Sequence, residues 1–192
     1  MTVPDPILID VPTRLACARL QLRCPQPGDG AAVHAAVLAS LSDLRAWPAA
    51  LPWARQAPSV TVSERWCRLA QAEFILRQQL SWLILSADGA TVLGACGLHQ
   101  PDWDHGTASL GYWVHRAHQR RGYASEAVGR VCELAFDTLG MQRLSICCDV
   151  QNLASARVAE RAGFIHEARL RHSHRDPGGL AHDTLLYARI AP

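Results

Sequence analysis

Hydrophobic and polar positions follow two different periods along the chain. Over residues 59–79 the apolar side chains recur every three or four positions on one stripe, which predicts an amphipathic helix. Periodicity and capping residues predict three further helices, at 29–41, 124–140 and 152–162. Short apolar or alternating runs predict seven strands, at 18–24, 81–86, 92–99, 107–114, 143–149, 164–175 and 180–190.

The order of these elements predicts a single domain. One strand and two helices come first, followed by three strands, a helix, a strand, a helix and two strands. This order is typical of an α/β (α+β) fold with a mixed central sheet. Residues 1–13 carry three prolines and are expected to be an N-terminal lead-in, with residues 14–192 forming the domain. Hydrophobic residues make up 49% of the chain and charged residues 19%, which favours a buried core over disorder.

The charge of the chain excludes several classes of function. There are 19 basic and 17 acidic residues, a net charge of +2, which is too balanced for binding nucleic acid through bulk charge. Every basic residue is arginine. The absence of lysine excludes a lysine Schiff base, a lysine general base and the lysine of a P-loop.

The seven cysteines are an odd number and none are spaced C-x-x-C, so neither a zinc ribbon nor a thioredoxin-type redox pair is predicted. Most lie in apolar runs, which favours buried reduced thiols in a cytoplasmic protein over a disulfide framework. Residues 1–10 lack the charge and apolar run of a signal peptide. The apolar stretches are far shorter than the ~20 residues of a membrane span, so no membrane partner is expected.

A basic loop between a strand and a helix is the most informative segment. Consecutive backbone N–H groups in such a loop point at one spot, and the helix dipole adds positive potential there. The arrangement suits a pyrophosphate, although an ordinary turn with solvated arginines explains the same residues. The loop consists of Gln119, Arg120, Arg121, Gly122, Tyr123 and Ala124.

This loop resembles the Q/R-x-x-G-x-G/A loop of the GNAT acetyltransferases, which binds the pyrophosphate of acetyl-CoA. The preceding Leu110-Gly111-Tyr112-Trp113 is similar to the strand before that loop in the family. Asn152-Leu153-Ala154-Ser155, followed by Gly163-Phe164, resembles the N-x-x-S…GF motif of the RimL/RimJ branch. The endings at Leu186–Ile190 and the tryptophan–proline pairs around residues 47–53 also resemble RimL.

The resemblance covers about residues 14–190. It implies the GNAT fold, a mixed sheet of about seven strands with about four helices, splayed in the middle for CoA. It also implies an enzyme that transfers acetyl to an amine, which in the RimL group is the N-terminal α-amine of a ribosomal protein.

Carried over residue by residue, the resemblance implies a cofactor site. The amides of residues 119–124 would hold the pyrophosphate, and the backbone of Trp113 and Val114 would pair with the pantetheine arm. The Val114 amide would face the thioester oxygen. Asn152 would contact the pantetheine, and Ser155 would protonate the departing thiolate. From the residues alone, Asn152 and Ser155 are also explained as a helix cap and a first-turn hydroxyl.

The general base is where the sequence departs from the family. The family's glutamate two residues before the Gly-Tyr-Trp is replaced by Ser109, and the RimL-type glutamate after the Gly-Phe is replaced by His174. An imidazole accepts a proton near neutral pH, so His174 is the expected base and His99 its rival. Strand alternation places Leu170, His172 and His174 on one face. No metal site is expected, because no third ligand lies near the two histidines in sequence.

The expected partners are acetyl-CoA as co-substrate and an amine acceptor such as a ribosomal-protein N-terminus. A homodimer is a further option, and no direct contact with nucleic acid is expected. Two alternatives stay open. In the first, the acceptor is a small amine such as a polyamine, an aminoglycoside or an amino-acid conjugate. In the second, the chain binds CoA without catalysis, which the missing glutamates suggest. The indoles of Trp47 and Trp53 are explained equally by core packing and by a wall of an acceptor groove.

Overall fold

The alternating segments form one eight-stranded mixed sheet in the computed structural model of the chain, which describes residues 5–47, 52–176 and 178–192. The strands are β1 (Arg14–Ala16), β2 (Leu20–Arg23), β3 (Leu80–Ser86), β4 (Val92–Asp102), β5 (Thr107–Val114), β6 (Arg143–Asp149), β7 (Ile165–Arg175) and β8 (Ala181–Ile190). The helices are α1 (Gly30–Arg45), α2 (Val60–Ile75), α3 (Tyr123–Glu133) and α4 (Leu153–Arg161).

The sheet order is β1-β2-β3-β4-β5-β6-β8-β7, and every neighbouring pair is antiparallel except β5 and β6. That parallel pair is short, because Thr107–Ser109 pairs with Arg143–Ser145 and the register ends there. Beyond it β5 pairs only with β4, and β6 pairs only with β8, within the part of the chain described. The two central strands therefore diverge and leave a cleft between Leu110–Val114 and Ile146–Asp149.

Both faces of the sheet are covered by helices. The larger apolar cluster packs Val128 and Val131 of α3 and Ala159 of α4 against strand residues that include Leu144 and Ile146. A second cluster packs α1 and α2 on the opposite face of β3 and β4. Successive strand residues point to opposite faces. Ser145, Cys147 and Asp149 of β6 therefore face the α1–α2 side of the sheet.

The predicted α/β class, its mixed sheet and its four helices are confirmed. Apart from shifts of a few residues at the ends of elements, two details differ. An eighth strand, β1, pairs with β2 and buries only Leu15, because three residues are too short to produce a readable period. The helix predicted over 124–140 changes at Leu134 into a π-helical turn that ends at Thr138. Each helix within residues 5–47, 52–176 and 178–192 falls short of the length or the apolar content that a membrane-spanning helix needs.

Candidate active site

The basic loop before α3 contains a run of backbone amides without hydrogen-bond partners among the described residues. Arg120 and Gly122 both adopt left-handed backbone angles, with φ of +60° and +82°. Among the hydrogen bonds of the described residues, none uses the backbone N–H of residues 120–125. The first turn of a helix leaves such donors unsatisfied, and left-handed residues turn them toward one point. The loop therefore has free donors at a helix N-terminus, and the predicted pyrophosphate site at residues 119–124 stays a prediction.

A residue far away in sequence buttresses this loop. The Nη1 group of Arg19 donates to the Arg121 carbonyl at 2.9 Å, and its Nε group donates to Glu126 Oε2 at 2.8 Å. The guanidinium also lies 5.3 Å from the centre of the Tyr123 ring. Arg19 thus balances the one carboxylate in the first turn of α3, which would otherwise oppose an anion at the helix N-terminus.

Trp113 and Val114, the residues expected to pair with pantetheine, lie on β5 along the cleft. They pair with Ala95 and Gly94 of β4 on one side, and their other side faces the cleft. Trp113 belongs to the α1–α2 cluster and its ring lies 6.1 Å from that of Trp53. An extended arm entering the cleft would meet a strand edge on the β5 side, the arrangement in which a ligand adds a strand to a sheet.

Asn152 and Ser155 stand at the N-terminus of α4, beside the cleft. Asn152 Oδ1 accepts a hydrogen bond from the Ser155 amide at 3.1 Å, so its helix-capping role is real. Ser155 Oγ lies 2.9 Å from the hydroxyl of Tyr112, which also lies 2.9 Å from the Ser155 carbonyl oxygen. Burial raises the pKa of Tyr112, which keeps its hydroxyl protonated and able to donate. The hydroxyl pair connects β5 to α4 across the cleft.

His174 lies in a cluster formed by three strands. Its Nε2 atom is 3.3 Å from Asp149 Oδ2 at the end of β6, and His182 Nδ1 of β8 is 3.1 Å from the same oxygen. The two imidazoles are stacked, with ring centres 5.3 Å apart. We call Asp149, His174 and His182 the Asp149 cluster.

The strand that carries His174 is irregular, which corrects the predicted face. The β7–β8 register shifts between Leu170 and His174, and His172 has a φ of +49° with its amide donating to Asp183 Oδ1 at 2.8 Å. His172 is therefore exposed and does not share a face with His174. Leu170 and His174 still line one cavity. The irregularity adds two residues to β7 relative to β8, and an even number of extra residues leaves both side chains on the same face of the strand.

That cavity has a volume of about 280 Å³ and opens beside the C-terminal end of β6. We call it the β6 cavity; its lining residues are Trp47, Cys147, Cys148, Asp149, Leu170, His174 and Thr184. Trp47 is thus a wall of a cavity, while the exposed Trp53 packs beside Trp113. Pro48, the partner of Trp47 in the sequence motif, lies outside the described residues.

The rival base, His99, lies on β4 directly opposite Ser109 of β5. Its Nδ1 atom is 2.6 Å from Gln79 Oε1, which can only accept, so Nδ1 carries the proton and Nε2 holds a lone pair. A side chain on Gly111 would come within 2.9 Å of that Nε2 atom, so glycine makes room for the imidazole. Burial lowers the pKa of His99, which keeps it neutral. A neighbouring cavity of about 360 Å³ is lined partly by Ser109 and Ser145.

Four residues of this region carry roles that sequence reasoning did not assign: Arg19, Tyr112, Asp149 and His182. The sequence placed no third ligand near His172 and His174. The fold brings Asp149 from β6 and His182 from β8 to His174, while His172 is not part of the group. The signal for Tyr112 was its position in the Gly-Tyr-Trp motif. The other three are brought in by strand pairing and long-range contacts that no local pattern shows.

Comparison with known proteins identifies the class. A family model described as an acetyltransferase (GNAT) domain matches residues 19–165 of the chain. The chain therefore belongs to the GNAT family of acetyltransferases, which are transferase enzymes. Its parallel strands β5 and β6 diverge beside a basic loop of free amides.

Individual relatives agree with that membership. The uncharacterized N-acetyltransferase YoaA of Bacillus subtilis (strain 168) is 30% identical over 116 residues, covering 60% of this chain and 65% of its own length. The ribosomal-protein-serine acetyltransferase of Escherichia coli (strain K12) is 36% identical over 84 residues, covering 44% and 46%. The chain aligns with four curated relatives over 50% to 65% of their own lengths.

A solved structure shares the fold. RimL, described as a ribosomal L7/L12 alpha-N-protein acetyltransferase in complex with coenzyme A, superposes with a TM-score of 0.82 at 23% identity. The superposition covers 94% of this chain and 97% of RimL. At 23% identity this similarity establishes the fold alone.

Proposed function

We propose that the chain is a RimL-type N-acetyltransferase that moves the acetyl group of acetyl-CoA to the N-terminal α-amine of a protein, of which a ribosomal protein is the leading candidate. The observation that carries the proposal is the divergence of β5 from β6, flanked by free amides at one end and by an Asp–His cluster on the α1–α2 face. The coenzyme A complex of RimL and the name of the E. coli relative support the co-substrate and the acceptor class.

The cofactor in this proposal follows the cleft. Its pyrophosphate lies against the amides of residues 119–124, where the dipole of α3 and the arginines favour negative charge. Its pantetheine arm runs along the Trp113–Val114 edge and past Asn152. The thioester then reaches the space between the Val114 amide and the hydroxyl of Ser155.

The chemistry is a direct transfer. The amine nitrogen attacks the thioester carbon, a C–N bond forms, the C–S bond breaks, and the leaving thiolate becomes the thiol of CoA. Ser155 donates a proton to that thiolate, and the proton that the nitrogen releases as the amide forms restores the Ser155 hydroxyl, so the step is balanced. The Tyr112 hydroxyl, 2.9 Å from Ser155 Oγ, holds the serine side chain in place. No covalent intermediate on the enzyme is needed.

His174 takes the proton that the ammonium group of the acceptor must lose before it can attack. Asp149 Oδ2, 3.3 Å from His174 Nε2, orients the imidazole. The cavity at this position is bounded by the Trp47 indole, the Leu170 side chain and the Asp149 carboxylate, which suits a cationic amine attached to a peptide.

An acceptor panel tests the function. Release of CoA thiol is measured with three acceptors: a peptide with a free α-amine, the same peptide with a blocked α-amine and a free lysine, and a polyamine. We expect kcat/KM to be highest for the free α-amine. A polyamine as the best acceptor, or no turnover with any amine, overturns the acceptor class or the catalytic role.

Two histidine variants and one control variant test the base. His174→Gln should lower kcat by about 10²–10⁴-fold, the usual contribution of a general base. His172→Gln, an exposed histidine on the same strand, should leave kcat unchanged. If His99→Gln produces the larger loss, the base is His99.

A further inference from the structure

The Asp149 cluster brings two imidazole nitrogens and one carboxylate oxygen close together. The His174 Nε2, His182 Nδ1 and Asp149 oxygen atoms all lie within 4.8 Å of one another. Asp149 is 8% exposed, and the two imidazoles are 17% and 20% exposed, so the group is sheltered yet reachable from the β6 cavity. Asp149 lies on β6, His174 on β7 and His182 on β8, so the sheet holds the spacing rigidly.

The second nitrogen of each imidazole is held by oxygen atoms. His182 Nε2 is 3.3 Å from Asp176 Oδ2, and His174 Nδ1 is 3.3 Å from Thr184 Oγ1. Metal-bound histidines have this arrangement, because an outer oxygen fixes the ring orientation and leaves the inner nitrogen to the metal.

We propose that Asp149, His174 and His182 bind a divalent transition-metal ion of the Zn²⁺ type. Bonds of about 2.0–2.1 Å in a tetrahedral site place neighbouring ligand atoms about 3.3 Å apart. The two distances from Asp149 Oδ2 to the imidazoles, 3.1 and 3.3 Å, match that spacing. Two imidazoles and one carboxylate are a ligand set used for zinc and iron.

The ion would complete its coordination from the β6 cavity, where a water or an incoming amine has access. A metal ion on His174 Nε2 leaves the single proton of the neutral imidazole on Nδ1. The ring then has no lone pair with which to take a proton from the acceptor, so the metal inhibits the enzyme. That consequence rests on the proposed function, whereas the metal site itself does not.

Metal binding is tested on the purified full chain without a histidine tag, stripped with a chelator and free of acetyl-CoA. Calorimetric titration with Zn²⁺ should give one site per chain. His182→Gln and Asp149→Asn should each weaken the affinity by at least about 100-fold, and Asp176→Asn, which changes an outer partner, by about 10–100-fold. His172→Gln should bind as wild type does.

Cobalt(II) supplies a spectroscopic readout that separates imidazole from thiol ligands. The exposed Cys147 lines the same cavity and is the competing ligand. We expect visible bands of a low-coordinate cobalt site that persist in Cys147→Ser and disappear in His182→Gln. The proposal is overturned if no stoichiometric binding occurs, if binding survives in His182→Gln, or if Cys147→Ser abolishes it. These outcomes are independent of whether the acetyl-transfer assay succeeds.

Discussion

Replacing Gly122 by glutamate places a negative charge at the N-terminus of α3, where the cofactor's pyrophosphate is proposed to bind. Gly122 has a φ of +82°, and a side chain there would begin 3.2 Å from Arg19 Nη2. The left-handed backbone costs a non-glycine residue about 1–2 kcal/mol, so the free energy of unfolding should fall by that amount. This cost applies equally to the free and the bound protein.

The effect on affinity comes from the added charge. Two unit charges about 5 Å apart repel by about 1 kcal/mol in water and by about 3 kcal/mol at an effective dielectric constant of about 20. At about 1.4 kcal/mol per factor of ten, CoA binding should weaken between about 5-fold and about 140-fold. High salt should shrink the difference, because it screens exposed charges.

Calorimetric titration with CoA measures this loss, and α3 offers a matched control. Gly129 lies two turns further along the helix, and a side chain there would meet nothing within 4 Å. Gly129→Glu makes the same charge change and should bind CoA as wild type does. Acetyl-pantetheine, which lacks the pyrophosphate, should bind Gly122→Glu and wild type equally. Unchanged CoA affinity in Gly122→Glu, or an equal loss in Gly129→Glu, would refute the placement of the pyrophosphate.

Three further outcomes are expected. Ser155→Ala should lower kcat about 10–10³-fold with little change in acetyl-CoA binding, measured by initial rates and titration; a pure loss of binding would reduce Ser155 to a structural residue. Because burial lowers the pKa of His99, its contribution to stability is complete above about pH 6.5 and is lost as the pH falls toward the folded-state pKa. Denaturant titration should therefore show a free energy of unfolding that falls over this pH range in the wild type, and this decrease should be absent in His99→Gln. A thiol reagent should modify Cys147 first, and the fast phase should be absent in Cys147→Ser.

Much of the fold could be predicted because its elements are long and regularly patterned. The strand over Thr107–Val114 and the strand over Arg143–Asp149 have the predicted bounds. Their hydrophobic runs are closed by a polar loop, a turn or a cap on each side. The strand Arg14–Ala16 was missed, because pairing with β2, rather than local pattern, makes it a strand.

The candidate site was predictable to the extent that local sequence sets its geometry. The loop of residues 119–124 and the cap at Asn152 depend on backbone angles and helix ends, which the residue types reveal. The Asp149 cluster depends on the pairing of β6, β7 and β8 and on a two-residue irregularity near His172. Register shifts of this kind have no short-range sequence signal, so alternation alone misplaced His172 and left Asp149 and His182 unassigned.

The most direct test of the proposed acetyl transfer follows the acetyl group itself. The chain is incubated with isotope-labelled acetyl-CoA and a peptide that carries one free α-amine and one lysine, and fragment-ion mass spectrometry locates the label. The proposed function predicts label on the α-amine, one CoA thiol released for each acetyl transferred, and no label on the enzyme. Label on the lysine, label retained by the enzyme, or an unlabelled peptide would contradict it.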